Sequence, residues 1–127
     1  FSIGTNRNIR YPCYNYFKNI LTYNRSLSQK DYLINLKKCK FCICPEGNGP
    51  DTHRFWECLY LNVIPICKRS PFIENINKDF PVCIVNEWSD LIINDGFYKT
   101  YDNYIQNLNI NKLDFNYWKN KIITSLE

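Results

Sequence analysis

Short apolar runs alternate along the chain with longer segments in which apolar residues recur every three or four positions. Apolar runs at 41–44, 63–67 and 82–85 predict three strands buried on both faces, as in a parallel sheet. Helical spacing predicts helices over the longer segments, and these are 11–23, 28–38, 97–108 and 113–126. A short helical turn is expected over 71–76. Because helices alternate with short strands, the pattern indicates an α/β fold with a Rossmann-like parallel sheet flanked by helices.

The central stretch, 40–71, reads as strand, glycine loop, helix and strand. Residues 46–50 contain two glycines, a proline and an asparagine, which is typical of a turn. Asp51 is expected to cap the following helix, and Asn62 is expected to end it in the left-handed conformation. The sequence therefore predicts a βαβ unit whose chemistry lies at the loop between strand and helix.

Several local signals set the expected ends of the other elements. Residues 4–10 are polar and are predicted to form a loop, with a helix opening at Pro12 in its first turn. Ser28 begins a pattern that resembles a capping box. A loop or helix is expected to start at 87–90, to include 91–93 and to be broken at Gly96, and residues 1–3 are expected to end a strand.

Length and composition limit the class of protein. A chain of 127 residues with 45% hydrophobic residues is expected to form one globular domain. The net charge of +4 is mild, and without a dense basic run we expect no nucleic-acid partner. No apolar run is long enough to span a membrane, and no signal peptide is visible. The chain starts at Phe1 without methionine, so we expect it to be a fragment of a longer protein.

The seven cysteines allow two interpretations. Four of them fall in apolar runs, where free cysteine behaves as a small hydrophobe: Cys42, Cys44, Cys67 and Cys83. The spacing of Cys39, Cys42 and Cys44, with His53 and Cys58 nearby, is the alternative signal, for zinc. Because no second Cys-x-x-Cys pair closes such a site, structural thiols are favoured. Unpaired thiols indicate a reducing compartment and hence the cytoplasm.

The central stretch resembles the exostosin-type glycosyltransferase domain. Residues 45–59 read PEGNGPDTHRFWECL and 62–66 read NVIPI, similar to that family's Pro-x-Gly-x-Gly, Asp-x-x-Arg-x-x-Glu-Ala-Leu and Ile-Pro-Val pattern. Residues 80–89, FPVCIVNEWS, and the YW pair at 117–118 are also similar to it. Two residues depart from the pattern: Cys58 stands in place of alanine, and Asn62 in place of glycine.

The resemblance implies the C-terminal, donor-binding half of a two-domain GT-B glycosyltransferase. Such a domain would bind a nucleotide-sugar and support sugar transfer to a hydroxyl of a glycan or protein. An N-terminal domain or an oligomer partner would be expected to complete it. The resemblance implies the Golgi lumen, whereas the unpaired thiols indicate the cytoplasm. No Asp-x-Asp occurs, so metal-independent donor binding is predicted and no cofactor is expected.

The chemistry of a nucleotide diphosphate selects candidate residues in and around the loop. Glycine lets the backbone approach the diphosphate, and a helix N-terminus favours its charge. Arg54 can pair with phosphate in fork geometry and stabilise the leaving group, and Glu57 can accept from sugar hydroxyls, so these two are the predicted catalytic residues. The predicted donor-binding residues are Arg7, Gly47, Asn48, Gly49, Asp51, Thr52, His53 and Ser70.

Each assignment has a simpler alternative. Arg54 and Glu57 could form only an exposed i,i+3 ion pair, which spacing alone favours. A lone histidine such as His53 is more often a surface or structural residue. For the whole chain, the alternative to a glycosyltransferase is a non-catalytic Rossmann-like interaction or structural module. The resemblance, rather than the spacing, favours the enzyme.

Overall fold

The protein is described by a computed structural model that covers residues 7–21, 27–47 and 52–113. The strands are β1 (Phe41–Ile43), β2 (Ile64–Lys68) and β3 (Cys83–Val85). The helices are α1 (Arg7–Phe17), α2 (Gln29–Lys37), α3 (His53–Tyr60), α4 (Pro71–Ile76), α5 (Asp95–Lys99) and α6 (Tyr101–Ile105). Two 3₁₀ turns cover Trp88–Asp90 and Ile110–Leu113. The predictions for 1–3, for donor binding by Asn48, Gly49 and Asp51, and for the terminal helix beyond 113 lie outside the described residues.

The three strands form one parallel sheet in the order β1-β2-β3. Phe41 pairs with Ile64, and Ile66 pairs with Cys83. The predicted α/β class and parallel pairing are therefore confirmed. The prediction that β1 is buried on both faces is wrong, since its three side chains are only half-buried. In the described part of the sheet β1 pairs with β2 alone, so its outer edge lacks the cover that β2 receives from strands on both sides.

Side chains of β2 alternate between two apolar cores, as the period of two in a strand requires. Val63 and Cys67 face a core that contains Phe55 and Leu59 of α3, together with Ile73 of α4. The side chains of Ile64 and Ile66 face the opposite core, whose members come from α1 and β3 and include Cys13, Phe17, Cys83 and Val85. The sheet is therefore covered by helices on both faces.

Short polar side chains cap the helices. Ser28 accepts a hydrogen bond from the Asp31 backbone N–H at 3.2 Å, as predicted. The N-cap of α3 is Thr52, whose hydroxyl accepts from the Phe55 N–H at 3.3 Å, so the prediction of Asp51 as the cap is corrected by one residue. Asn62 has φ 60°, which confirms the predicted left-handed end of α3.

The start of α1 was predicted wrongly. Residues 7–10, expected in a loop, form its first turns, and Pro12 lies inside the helix instead of opening it. Proline lacks an N–H and so removes one backbone hydrogen bond near the start of this helix. The buried face of α1, formed by Arg10, Cys13 and Phe17, is a tertiary reason for the helix to begin earlier than its proline suggests.

Gly96 does not end the segment that precedes it, contrary to the prediction. It lies in the first turn of α5, after the Asn94 N-cap, whose side chain accepts from the Phe97 N–H at 2.8 Å. The predicted single helix over 97–108 is instead divided into α5 and α6 at Thr100.

Among the described residues, no helix combines the length and the hydropathy needed to cross a bilayer.

Candidate functional site

Gly47, in the loop that follows β1, lies against the side chain of Arg10. Gly47 is buried, and a Cβ atom added to it would lie 2.8 Å from Nη2 of Arg10. A side chain at position 47 would therefore require the Arg10 guanidinium or the loop to shift. The loop leads to Thr52 and the start of α3, which is the connection in which α/β proteins bind phosphates.

Arg10 holds this loop, and the sequence did not identify it. Its side chain is only 8% exposed, and its Nε donates a hydrogen bond to the backbone carbonyl of Glu46 at 2.9 Å. A buried guanidinium keeps its charge, so it adds positive potential beside the loop. The missed signal was helical spacing, because Arg10 lies on the same face of α1 as Cys13 and Phe17.

The remaining predicted donor-binding residues differ in exposure and partners. Arg7 is exposed, and its guanidinium carbon lies 4.9 Å from the centre of the Tyr11 ring. His53 is exposed at the first position of α3. The Ser70 hydroxyl accepts from the Ile73 N–H at 3.1 Å and caps α4 at the end of β2. Arg7 and His53 therefore have exposed side chains, whereas the Ser70 hydroxyl already serves the backbone.

Spacing allowed an ion pair between Arg54 and Glu57, but the described residues contain no such pair. The guanidinium carbon of Arg54 lies 4.8 Å from the centre of the Tyr32 ring. The Glu57 carboxylate accepts a hydrogen bond from the Gln29 side chain at 3.3 Å. Both residues of α3 therefore face α2, and Arg54 contributes a half-buried positive charge between α2 and β1.

Polar groups also follow β2 and β3 at the same edge of the sheet as the glycine loop. Arg69 donates from Nε to the Asn86 side chain at 2.8 Å and pairs with Glu74 at 2.6 Å. Lys68 lies 3.2 Å from the Glu87 carboxylate. The carboxyl ends of parallel strands are where ligands bind in open α/β sheets, so this edge collects the charged groups a polar ligand requires.

Three cysteines come together beneath Arg54. The Sγ atoms of Cys42, Cys44 and Cys58 all lie within 4.8 Å of one another, and those of Cys44 and Cys58 are 3.7 Å apart. All seven cysteines of the chain are free thiols. Of the residues in the zinc alternative, the structure brings together Cys42, Cys44 and Cys58, whereas Cys39 and His53 are exposed.

The three thiols have different proton affinities. Hydrogen bonds from Cys44 and Cys58, together with the charge of Arg54, hold the pKa of the Cys42 thiol well below its usual value. Burial raises the pKa of Cys44 well above that value. The pKa of Cys58 is also raised well above its usual value, first of all by the hydrogen bond between Cys58 and Cys42. Cys42 is therefore the most acidic thiol of the three, as its lowered pKa indicates.

A cavity of about 550 Å³ lies beside β1. Its walls come from α1, α2, β1, α3 and α5, and they include Phe17, Tyr32, Cys42, Arg54 and Phe97. It is separate from the glycine loop, since no residue of 44–47 lines it. The cavity therefore gives access to the cysteine group from the side of Cys42 and Arg54.

No known family model matches the chain, and no curated protein matches it either.

Proposed function

We propose that this chain is the nucleotide-sugar-binding domain of a glycosyltransferase that resembles the exostosin type. The observation that supports the proposal most is the unit formed by β1, the glycine loop, α3 and β2, in which Gly47 meets the buried Arg10. This connection is the one at which doubly wound α/β proteins bind phosphate groups.

In this proposal the donor diphosphate lies against the loop and the first turn of α3. Gly47 allows the close packing there, and Arg10 fixes the loop through the Glu46 carbonyl. The N–H groups and partial positive charge at the start of α3 favour the diphosphate. The cationic role that the sequence suggested for Arg7 is assigned to Arg10, because Arg10 is the arginine held against the loop.

Arg54 and Glu57 retain the roles that the resemblance implies. Arg54 stabilises negative charge on the departing nucleotide, and Glu57 accepts hydrogen bonds from donor hydroxyls. Transfer goes to a hydroxyl of a glycan or protein, and an N-terminal domain or a partner subunit completes the acceptor side. Donor binding is proposed to be independent of metal, since the positive charge comes from arginine and the helix terminus.

The test is saturable binding of a nucleoside diphosphate by the parent chain and by Arg54→Ala and Glu57→Ala. Both variants are expected to weaken binding by about tenfold, the loss of one charge-assisted hydrogen bond. The matched control is Asp102→Ala, because Asp102 is an exposed carboxylate on α6, a helix on the opposite face of the sheet from α3. If Arg54→Ala and Glu57→Ala bind like the parent, the assignment of these two residues is wrong.

A further inference from the structure

Three sulfur atoms from two separate elements meet in the core beneath α3. Cys42 lies in β1, Cys44 follows it, and Cys58 lies in α3, fourteen residues beyond Cys44. Their Sγ atoms are all within 4.8 Å of one another. The geometry is that of a small group of ligands whose atoms converge on one point.

The separations suit a thiophilic metal ion. With Zn–S bonds of about 2.3 Å, two sulfurs of a tetrahedral site are about 3.8 Å apart. The Cys44 and Cys58 sulfurs are 3.7 Å apart, so this pair is already at the spacing of two ligands. Cys42 reaches the same spacing with a shift of at most about 1 Å, which a change within one rotamer well provides.

The surroundings balance the charge of such a site. Three thiolates and one Zn²⁺ carry a net charge of −1, and soft thiolate ligands select Zn²⁺ or Cu⁺ over hard cations. The Arg54 guanidinium lies next to Cys42 and over the Tyr32 ring, and it supplies the compensating positive charge. A buried ionic group requires this kind of partner.

Tyr32 supplies an independent observation. Its hydroxyl oxygen is buried and has no hydrogen-bond partner within the described part of the chain. The ring lies beneath Arg54 and within electrostatic range of Cys42 and Cys58. A buried hydroxyl without a partner is costly, and a fourth metal ligand such as water would give it one.

We propose that Cys42, Cys44 and Cys58 bind one thiophilic metal ion, Zn²⁺ being the representative ion, and that the Arg54 guanidinium, stacked on the Tyr32 ring, balances its charge. The cavity beside β1 is the entry path, because Cys42 and Arg54 line it. The site shares Arg54 with the proposed donor-binding function but rests on the three cysteines, so metal binding can succeed or fail independently of nucleotide binding. It would tie β1 to α3, the two elements on either side of the glycine loop.

The experiment uses the reduced, metal-free full chain titrated with Co²⁺ as a spectroscopic substitute for Zn²⁺. Near-ultraviolet thiolate-to-cobalt absorption is expected to saturate at one ion per chain and to be displaced by Zn²⁺. Cys58→Ser is expected to weaken Co²⁺ binding at least tenfold. The matched control, Cys67→Ser, alters a buried cysteine of the same core that lies outside the group, and it is expected to bind like the parent.

A second measurement on the parent chain keeps the test valid if Cys58→Ser does not fold. Native thiols are alkylated with and without Zn²⁺ and mapped by mass spectrometry. Zn²⁺ is expected to slow the alkylation of Cys42, Cys44 and Cys58 and to leave the rate at the exposed Cys39 unchanged. Absence of saturable cobalt–thiolate absorption would overturn the proposal, as would an equal loss of binding in Cys67→Ser or protection that does not include the three cysteines.

Discussion

Arg10 donates a hydrogen bond from Nε to the backbone carbonyl of Glu46 at 2.9 Å, across 36 positions of the sequence. This bond joins α1 to the loop that follows β1, on the opposite side of the sheet from α3. The guanidinium is buried, and its Nη2 lies 2.8 Å from the position that a Cβ atom on Gly47 would take. One arginine therefore determines both the position of the loop and the electrostatic potential beside it.

Gly47→Ala tests the close packing of this loop. The added methyl group would lie 2.8 Å from Arg10 Nη2, so the guanidinium or the loop has to move. We expect the free energy of unfolding to fall by about 1–3 kcal/mol, as in other overpacked sites, and nucleotide affinity to fall with it. Urea unfolding and nucleotide titration measure the two effects.

The control for Gly47→Ala is Gly96→Ala, a glycine in the exposed first turn of α5. It is expected to leave nucleotide affinity unchanged and to alter stability by no more than about 1 kcal/mol. Equal effects of the two substitutions would show that the contact between Gly47 and Arg10 has no special part in the site.

A pair of arginine substitutions separates the sequence prediction from the structural proposal. Arg10→Met keeps an unbranched chain but removes the charge and leaves the Glu46 carbonyl without its donor. We expect a stability loss of about 1–3 kcal/mol and a weakening of nucleotide binding by about tenfold. Arg7→Met removes an exposed charge stacked on Tyr11 and is expected to change stability by less than about 0.5 kcal/mol. If Arg7→Met weakens nucleotide binding more than Arg10→Met, the original assignment to Arg7 is right.

The alkaline pH dependence of stability tests the burial of α1. Burial raises the pKa of the Cys13 thiol to about 12. Between about pH 9 and 12 the unfolded chain loses this proton while the folded chain keeps it, so the unfolded state binds fewer protons. The contribution of the Cys13 thiol to the free energy of unfolding is therefore fully present below about pH 9. It falls as pH rises, by about 1.4 kcal/mol per pH unit for this one group.

Urea unfolding of the parent and of Cys13→Ala at several alkaline pH values measures this effect. Lost packing lowers the stability of the variant by the same amount at every pH. Its stability is expected to fall less steeply with pH than that of the parent, because it lacks the titrating Cys13 thiol. Identical slopes for the two proteins would mean that Cys13 is not the buried, protonated thiol that the structure describes.

The fold was largely predictable where local signals and packing agree. Continuous apolar runs predicted β2 and β3, and Ser70 followed by proline is typical of the start of α4. The exposure of β1 was not predictable, because an apolar run does not reveal whether its strand lies at the edge of the sheet. The start of α1 was missed because it follows a tertiary contact, that of Arg10 with the loop.

The candidate site was predictable only in part. The glycine loop and its helix follow from the local order of residues, and the structure places Gly47 and Thr52 there. Helical spacing could have placed Arg10 on the buried face of α1, but no short-range pattern relates Arg10 to Glu46. The zinc alternative named Cys58 only as a nearby residue, and spacing could not show that the packing of α3 over β1 brings Cys58, but not Cys39, to Cys42 and Cys44.

The most direct test of the proposed function is a thermal-shift titration of the parent chain with UDP, GDP and ADP. Each is added without a divalent metal and then with Mg²⁺ or Mn²⁺, and Zn²⁺ is left out so that the cysteine group does not contribute. A ligand that binds only the folded state at ten times its Kd stabilises it by about 1.4 kcal/mol, which is readily detected. The account predicts a saturable shift with one of the three nucleotides, present without metal. No shift with any of them, with or without metal, would contradict the donor-binding function and leave the alternative of a non-catalytic module.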